Sequence, residues 1–198
     1  KLTKILNQHP NTYKSKINYP SIKPSSQKVL IYNDKPEQET ICLTWILDQH
    51  HKHNRLEKIS RAVFNRTLGN SIDSLLFKVF RLKYGLVYSI RSSITNYKNC
   101  SIFEICSQID PSNSPKFLEI FDNEFGQIVK SLDKEMFDKT IKYTNYQSLM
   151  TYDSVREISQ TIINEAVKNK KIYLPEDYIK LSKKINFDKT SSFFRKKL

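Results

Sequence analysis

Glycine is almost missing from this chain of 198 residues, which holds only 3. Three glycines cannot build a phosphate-cradling loop, a dinucleotide-binding turn or a G-x-S-x-G nucleophile elbow, and none of these patterns occurs. Histidine is nearly as scarce, with 4 in all: His9, His50, His51 and His53. The last three sit between a strand-like and a helix-like segment, where ordinary loop polarity explains them better than a physiological metal site does. Cysteine occurs as Cys42, Cys100 and Cys106, an odd number with no C-x-x-C spacing. No disulfide framework is therefore expected. Cys42 and Cys106 read as small apolar residues in strand-like runs, and the setting as reducing and cytoplasmic. No apolar run approaches the length needed to cross a bilayer, so no membrane contact is expected. No signal peptide is recognised, and the first residue is Lys; the sequence is expected to be cut from a longer protein.

What the chain has in excess is positive charge. Lys and Arg number 33 against 20 Asp and Glu, a formal net charge of +13. Clustered cations would point to a nucleic-acid phosphate backbone. Here the excess is mostly Lys, is spread along the chain and accompanies abundant Ile and Asn. It reads as a solvated surface bias of a kind an AT-rich genome produces, and nucleic acid is not the expected partner.

The length suits one well-cored domain with a tail. Residues 1–27 carry Pro10, Pro20 and Pro24 without a sustained apolar period, and read as a linker or the tail of a preceding unit. Residues 28–198 read as the domain. Residues 28–33 form a short β-type run. Residues 38–47 place Ile41, Leu43, Trp45 and Leu47 on one face and Cys42, Thr44 and Ile46 on the other, which predicts a central strand with both faces at least partly covered.

Asn54, with Glu57 three residues later, predicts a helix that Gly69 ends. A second helix follows from Ser71. Two strands, residues 86–97 and 101–109, are joined by the turn-forming stretch Asn96-Tyr97-Lys98-Asn99. The clearest helix starts near Ser114-Pro115, with Phe117, Ile120, Phe121, Phe125, Ile128, Val129 and Leu132 along one stripe. Asp133, Asp153 and Asp188 are candidate caps for later helices, and Pro175 suits a first helical turn. Sheet and helices fall into separate layers. The expected fold is α+β, a two-layer sandwich with a largely antiparallel sheet.

The remaining carboxylate pairs, Glu135 with Asp138 and Glu176 with Asp177, lie at helix starts, where they complement the dipole. One stretch stands apart, Phe80-Arg81-Leu82-Lys83-Tyr84-Gly85-Leu86-Val87-Tyr88-Ser89-Ile90. Leu75, Leu76, Val79 and Phe80 recur at helical spacing, Gly85 can take the left-handed conformation that stops a helix, and Leu86, Tyr88 and Ile90 alternate as a strand does. Arg81 on the last turn and Tyr88 on the strand could then point into one space. On spacing alone the plainer reading is a solvated helix-terminal cation and a half-buried strand aromatic.

Residues 70–92 resemble the C-terminal, non-metal-binding domain of the pitrilysin/insulinase family of zinc metallopeptidases, which includes mitochondrial processing peptidase. In that domain a helix ends in Arg, a basic stretch and a Gly follow, and a strand then opens with an aromatic-Ser-small pattern. The order of elements over residues 28–198 is similar too. The resemblance implies that Arg81 and Tyr88 close over a peptide substrate near a zinc ion bound by a different domain or chain. The family's zinc motif, H-x-x-E-H on a helix, is absent here. By this resemblance the chain holds no metal and no residue that activates water, and its partner is a zinc-binding peptidase domain in the same polypeptide or in another subunit. The assembled enzyme would hydrolyse unfolded peptides, and this chain alone would be inactive. A non-catalytic scaffold subunit of the same fold is the alternative, followed by a basic nucleic-acid-binding module.

Overall fold

A computed structural model describes residues 37–48, 54–97, 99–169 and 172–198. The expected linker, the β-type run at 28–33 and all four histidines lie outside the described residues. Among the described residues three antiparallel strands form the sheet: β1 (Glu39–Asp48), β2 (Val87–Asn96) and β3 (Ser101–Ile109). Their order is β1-β3-β2. β2 and β3 are the expected hairpin, closed where the Tyr97 N–H donates to the Cys100 carbonyl at 2.9 Å.

Alternation sorts the two faces of the sheet. Ile41, Leu43 and Trp45 of β1, Ile90 and Ile94 of β2, and Phe103, Ile105 and Ile109 of β3 meet the helices and form the core with them. Thr40, Cys42, Thr44 and Arg91 point the other way and are exposed. The helices among the described residues pack on one face only, so the expected covering of the second face of β1 is not seen at Cys42 and Thr44, whereas Ile46 is half-buried. Among the described residues β1 pairs with β3 alone.

The cysteine expectation fails as well. Cys42 stands directly opposite Cys106 across the β1–β3 ladder, and the two are joined as a disulfide. They are 64 residues apart in sequence, so only the strand register reveals the pair. Cys100 is free and buried.

Helix α1 (Arg55–Leu68) begins as expected, with the Asn54 side chain accepting the Glu57 N–H at 3.0 Å. It buries Ile59, Val63, Phe64 and Leu68. It ends at Gly69, whose φ of −152° lies outside the left-handed region that favours glycine. The glycine is required by space instead, since an added Cβ would stand 2.5 Å from Ser92 Oγ and 2.7 Å from Leu76 Cδ1.

Among the described residues five α-helices follow the sheet: α2 (Ser114–Ser131), α3 (Lys134–Met150), α4 (Val155–Asn169), α5 (Pro175–Ser182) and α6 (Phe187–Arg195). The predicted apolar stripe of α2 buries Phe117, Phe121, Phe125, Ile128 and Val129. Phe125 stacks on Trp45 with ring centroids 5.3 Å apart, which fastens this helix to the sheet. Asp133 caps α3 as expected, accepting the Met136 N–H at 2.8 Å. Two other caps fall elsewhere. Ser154 rather than Asp153 serves α4, its carbonyl accepting from Ile158 at 3.0 Å and its hydroxyl from Glu157. Asn186 serves α6, accepting the Lys189 N–H at 2.7 Å, because Asp188 is already inside the helix. Phe194 of α6 stacks on Phe64 of α1 at 3.8 Å and closes the helical layer against the core. The architecture is α+β, as the sequence led us to expect.

Candidate functional site

The helix before β2 starts at Ser74 rather than Ser71. The Ser74 carbonyl accepts the Lys78 N–H at 3.0 Å, and its hydroxyl accepts the Phe77 N–H. From Phe77 to Lys83 the coil widens into π-helical turns. The Tyr84 N–H consequently reaches back five residues to the Val79 carbonyl at 3.1 Å, and the Leu86 N–H reaches the Phe80 carbonyl at 3.0 Å. Such wide turns are uncommon and re-aim the side chains they carry. Phe80 is fully buried, whereas Arg81 and Leu82 face solvent. Gly85, at φ 62°, then turns the chain into β2 through the left-handed region, as expected.

β2 opens on a bulge. Val87 pairs with Ile109 and Ser89 with Gln108, so Tyr88 is an extra residue with no opposite number. A bulge kinks the strand and redirects one side chain. The expected alternation of Leu86, Tyr88 and Ile90 along one face is replaced accordingly: Leu86, Val87 and Ile90 are buried and Tyr88 is 56% exposed.

Both predicted site residues thus arrive at one place. Arg81 Nη1 donates to the Val87 carbonyl at 2.7 Å, and the Arg81 guanidinium carbon lies 6.0 Å from the centre of the Tyr88 ring. That single bond uses one of the five guanidinium donors and fixes the side chain across the neck of the bulge. The remaining donors, and a Tyr88 hydroxyl without a hydrogen-bond partner among the described residues, are left at the surface.

A neighbouring cluster was not anticipated. The Tyr84 hydroxyl donates to Glu124 of α2, and Lys83 Nζ lies 3.3 Å from the same carboxylate. The hydrogen bond from Tyr84, with the Lys83 charge behind it, lowers the Glu124 pKa below the usual carboxylate range. Lys83 moves up from its ordinary value, chiefly through its interaction with Tyr84 and further through Glu124. This clasp ties the end of the π-helical segment to α2 and steadies Arg81 two residues away. Nothing local signals it, because Glu124 lies 40 residues from Tyr84.

One group of potential metal ligands exists among the described residues, Cys42, Glu104 and Cys106. Both sulfurs are committed to the disulfide, so these residues do not fit a zinc ion.

A model of the peptidase M16 inactive domain matches residues 1–143. The chain belongs to this family. The M16 inactive domain of Pseudomonas fluorescens superposes with a TM-score of 0.67 at 18% identity, covering 81% of this chain and 38% of that one. A protease from Helicobacter pylori gives 0.67 at 12% identity, covering 99% of this chain and 49% of that one. The periplasmic protease PqqL of Escherichia coli gives 0.66 at 13% identity, with 83% and 18% covered. At these identities the structural likenesses establish the fold alone. The chain spans less than half the length of each of these three proteins. A search of curated proteins finds no match. The resemblance drawn from residues 70–92 therefore led to the right family, and the chain is an inactive M16 domain of zinc-peptidase-like proteins.

Proposed function

We propose that this M16 domain is the substrate-clamping, non-metal half of a zinc-dependent endopeptidase that acts on unfolded peptides. The zinc-binding half, carrying H-x-x-E-H, is a separate domain of the same polypeptide or a partner subunit. The observation that carries the reading is the meeting of Arg81 and Tyr88 at the β2 bulge, with donors free at the surface. A guanidinium and a phenol side by side can grip a peptide carbonyl oxygen and favour the negative charge that builds on it as the carbonyl carbon is attacked. Neither group is a nucleophile. The domain's part is to hold and polarise the peptide while hydrolytic chemistry is supplied from the other half.

Hydrolysis of an unstructured quenched-fluorescence peptide tests the reading. The chain should be silent alone with zinc supplied, and active when completed by an H-x-x-E-H half. Silence of the completed form would favour the scaffold role, and chelator-sensitive cleavage by the chain alone would overturn the proposal.

A further inference from the structure

The open face of the sheet carries a pair that the clamping role does not use. Cys42 and Cys106 are bonded across β1 and β3, Cys42 exposed and Cys106 half-buried. On the other side of β3, Arg91 of β2 is the register partner of Cys106 and is itself exposed. Arg91 and Cys106 line one shallow depression together with Thr40, Ser89 and Gln108. The second charge nearby is Glu104, which lies within 4.8 Å of both sulfurs. The outward neighbours Thr40, Thr44, Ser89, Ser93 and Gln108 are uncharged.

This arrangement makes the two sulfurs unequal. Exchange at a disulfide proceeds by attack of a thiolate on one sulfur, and it is faster when the other sulfur leaves as a stabilised thiolate. Access favours attack at Cys42. Departure favours Cys106, because a nearby positive charge favours a leaving thiolate and Arg91, its register partner, lines one depression with Cys106, whereas β3 lies between Arg91 and Cys42 on β1. Glu104 opposes the charge on either sulfur and so does not choose between them.

We propose that Cys42 is a site of reversible modification by a small-molecule thiol. The incoming thiolate is the reductant: it forms a new S–S bond to Cys42, and the Cys42–Cys106 bond breaks with its electron pair remaining on Cys106; attack of the Cys106 thiolate on Cys42 reverses the step, expelling the small-molecule thiolate and restoring the starting disulfide. With the small-molecule thiol in excess, a second thiolate attacks the small-molecule sulfur of the mixed disulfide instead, so that two thiols together supply the two electrons. It releases the symmetrical small-molecule disulfide and a Cys42 thiolate, and the protein leaves with both cysteines reduced. The modification would uncouple β1 from β3 covalently and place a polar adduct on the open face. The inference is independent of the peptidase reading.

The test uses the full chain, folded and oxidised, treated with reduced glutathione, quenched with iodoacetamide and mapped by peptide mass spectrometry. The expected product carries glutathione on Cys42 and the alkyl group on Cys106. Arg91→Gln should slow adduct formation about fivefold, with Arg91→Lys restoring most of the rate. Glutathione on Cys106, an equal split between the two, or no adduct on the folded chain when the denatured chain reacts would overturn the site. An unchanged rate in Arg91→Gln would overturn the part given to Arg91.

Discussion

Ser92 and Gly69 are held face to face. The Ser92 N–H donates to the Gly69 carbonyl at 2.9 Å, and its hydroxyl donates to the Asn65 carbonyl at 3.1 Å, so the end of α1 rests directly on β2. A methyl group at residue 69 would collide with Ser92 Oγ at 2.5 Å and Leu76 Cδ1 at 2.7 Å. Gly69→Ala should therefore cost about 1–3 kcal/mol of stability, as overpacking does. Adding Ser92→Ala should recover only part of that, because Leu76 remains. Urea denaturation of the single and double variants gives the comparison, and a neutral Gly69→Ala would show that α1 and β2 can separate freely.

Glu165 anchors α4 from a buried position. Arg55 Nη2 approaches it at 2.5 Å with side-chain exposures of 16% and 9%, and the Tyr178 hydroxyl donates to it at 2.7 Å. Removing one partner of such a pair strands the other charge away from water. Glu165→Ala is expected to lose about 3 kcal/mol, read from the denaturation midpoint, with Glu165→Gln losing less. Equal stability of Glu165→Ala and the parent chain would contradict the anchoring role.

The disulfide closes a long loop, its cysteines lying 64 residues apart. In the chain-entropy account, closing a loop of this size stabilises by about 4 kcal/mol. Cys42→Ser should fall short of the oxidised parent by up to that amount. Reductant should bring the parent down to the level of the variant and leave the variant unmoved.

The Lys83–Tyr84–Glu124 clasp sets a pH dependence of definite sign. Glu124 titrates below its ordinary value, so the folded chain binds its proton less readily than the unfolded chain. The stabilisation is complete above the ordinary carboxylate range and is lost as the pH falls through the lowered folded value. Lys83 titrates above its ordinary value, so its share is complete below the ordinary lysine range and is lost only as the pH rises through the raised folded value. The clasp is closed throughout the neutral range. Glu124→Gln should match the parent in acid, where Glu124 is protonated, and fall slightly below it at neutral pH, so that the acid limb of a thermal-stability profile flattens. An unchanged acid limb would remove the clasp from the account.

Features coded within a few residues were legible in the sequence. The α2 stripe from Phe117 to Val129, the caps at Asn54 and Asp133, the left-handed Gly85 and the β2–β3 hairpin each follow from local spacing and side-chain chemistry, and all stand in the structure. The features that were missed depend on distant partners. Cys42 meets Cys106, and Glu124 meets Tyr84, only after strands and helices are in register. The bulge at Tyr88 and the π-helical segment at Phe77–Lys83 arise where burial of Phe80, Leu86 and Val87 overrides regular repeats. The proximity of Arg81 to Tyr88 was anticipated, yet the means were not: an extra residue in the strand and a widened helix, rather than a plain helix–turn–strand, bring them together.

The clamp itself is tested most directly by Tyr88→Phe in the completed peptidase. This substitution removes one hydroxyl and keeps the ring beside Arg81. Because that hydroxyl has no partner among the described residues, folding should be untouched, whereas Arg81→Ala would also break the bond to Val87. The expected result is a fall in kcat of roughly 100-fold, the usual effect of losing one donor to a developing oxyanion, with KM little changed. Parent-like kcat in a fully folded, completed Tyr88→Phe enzyme would contradict it.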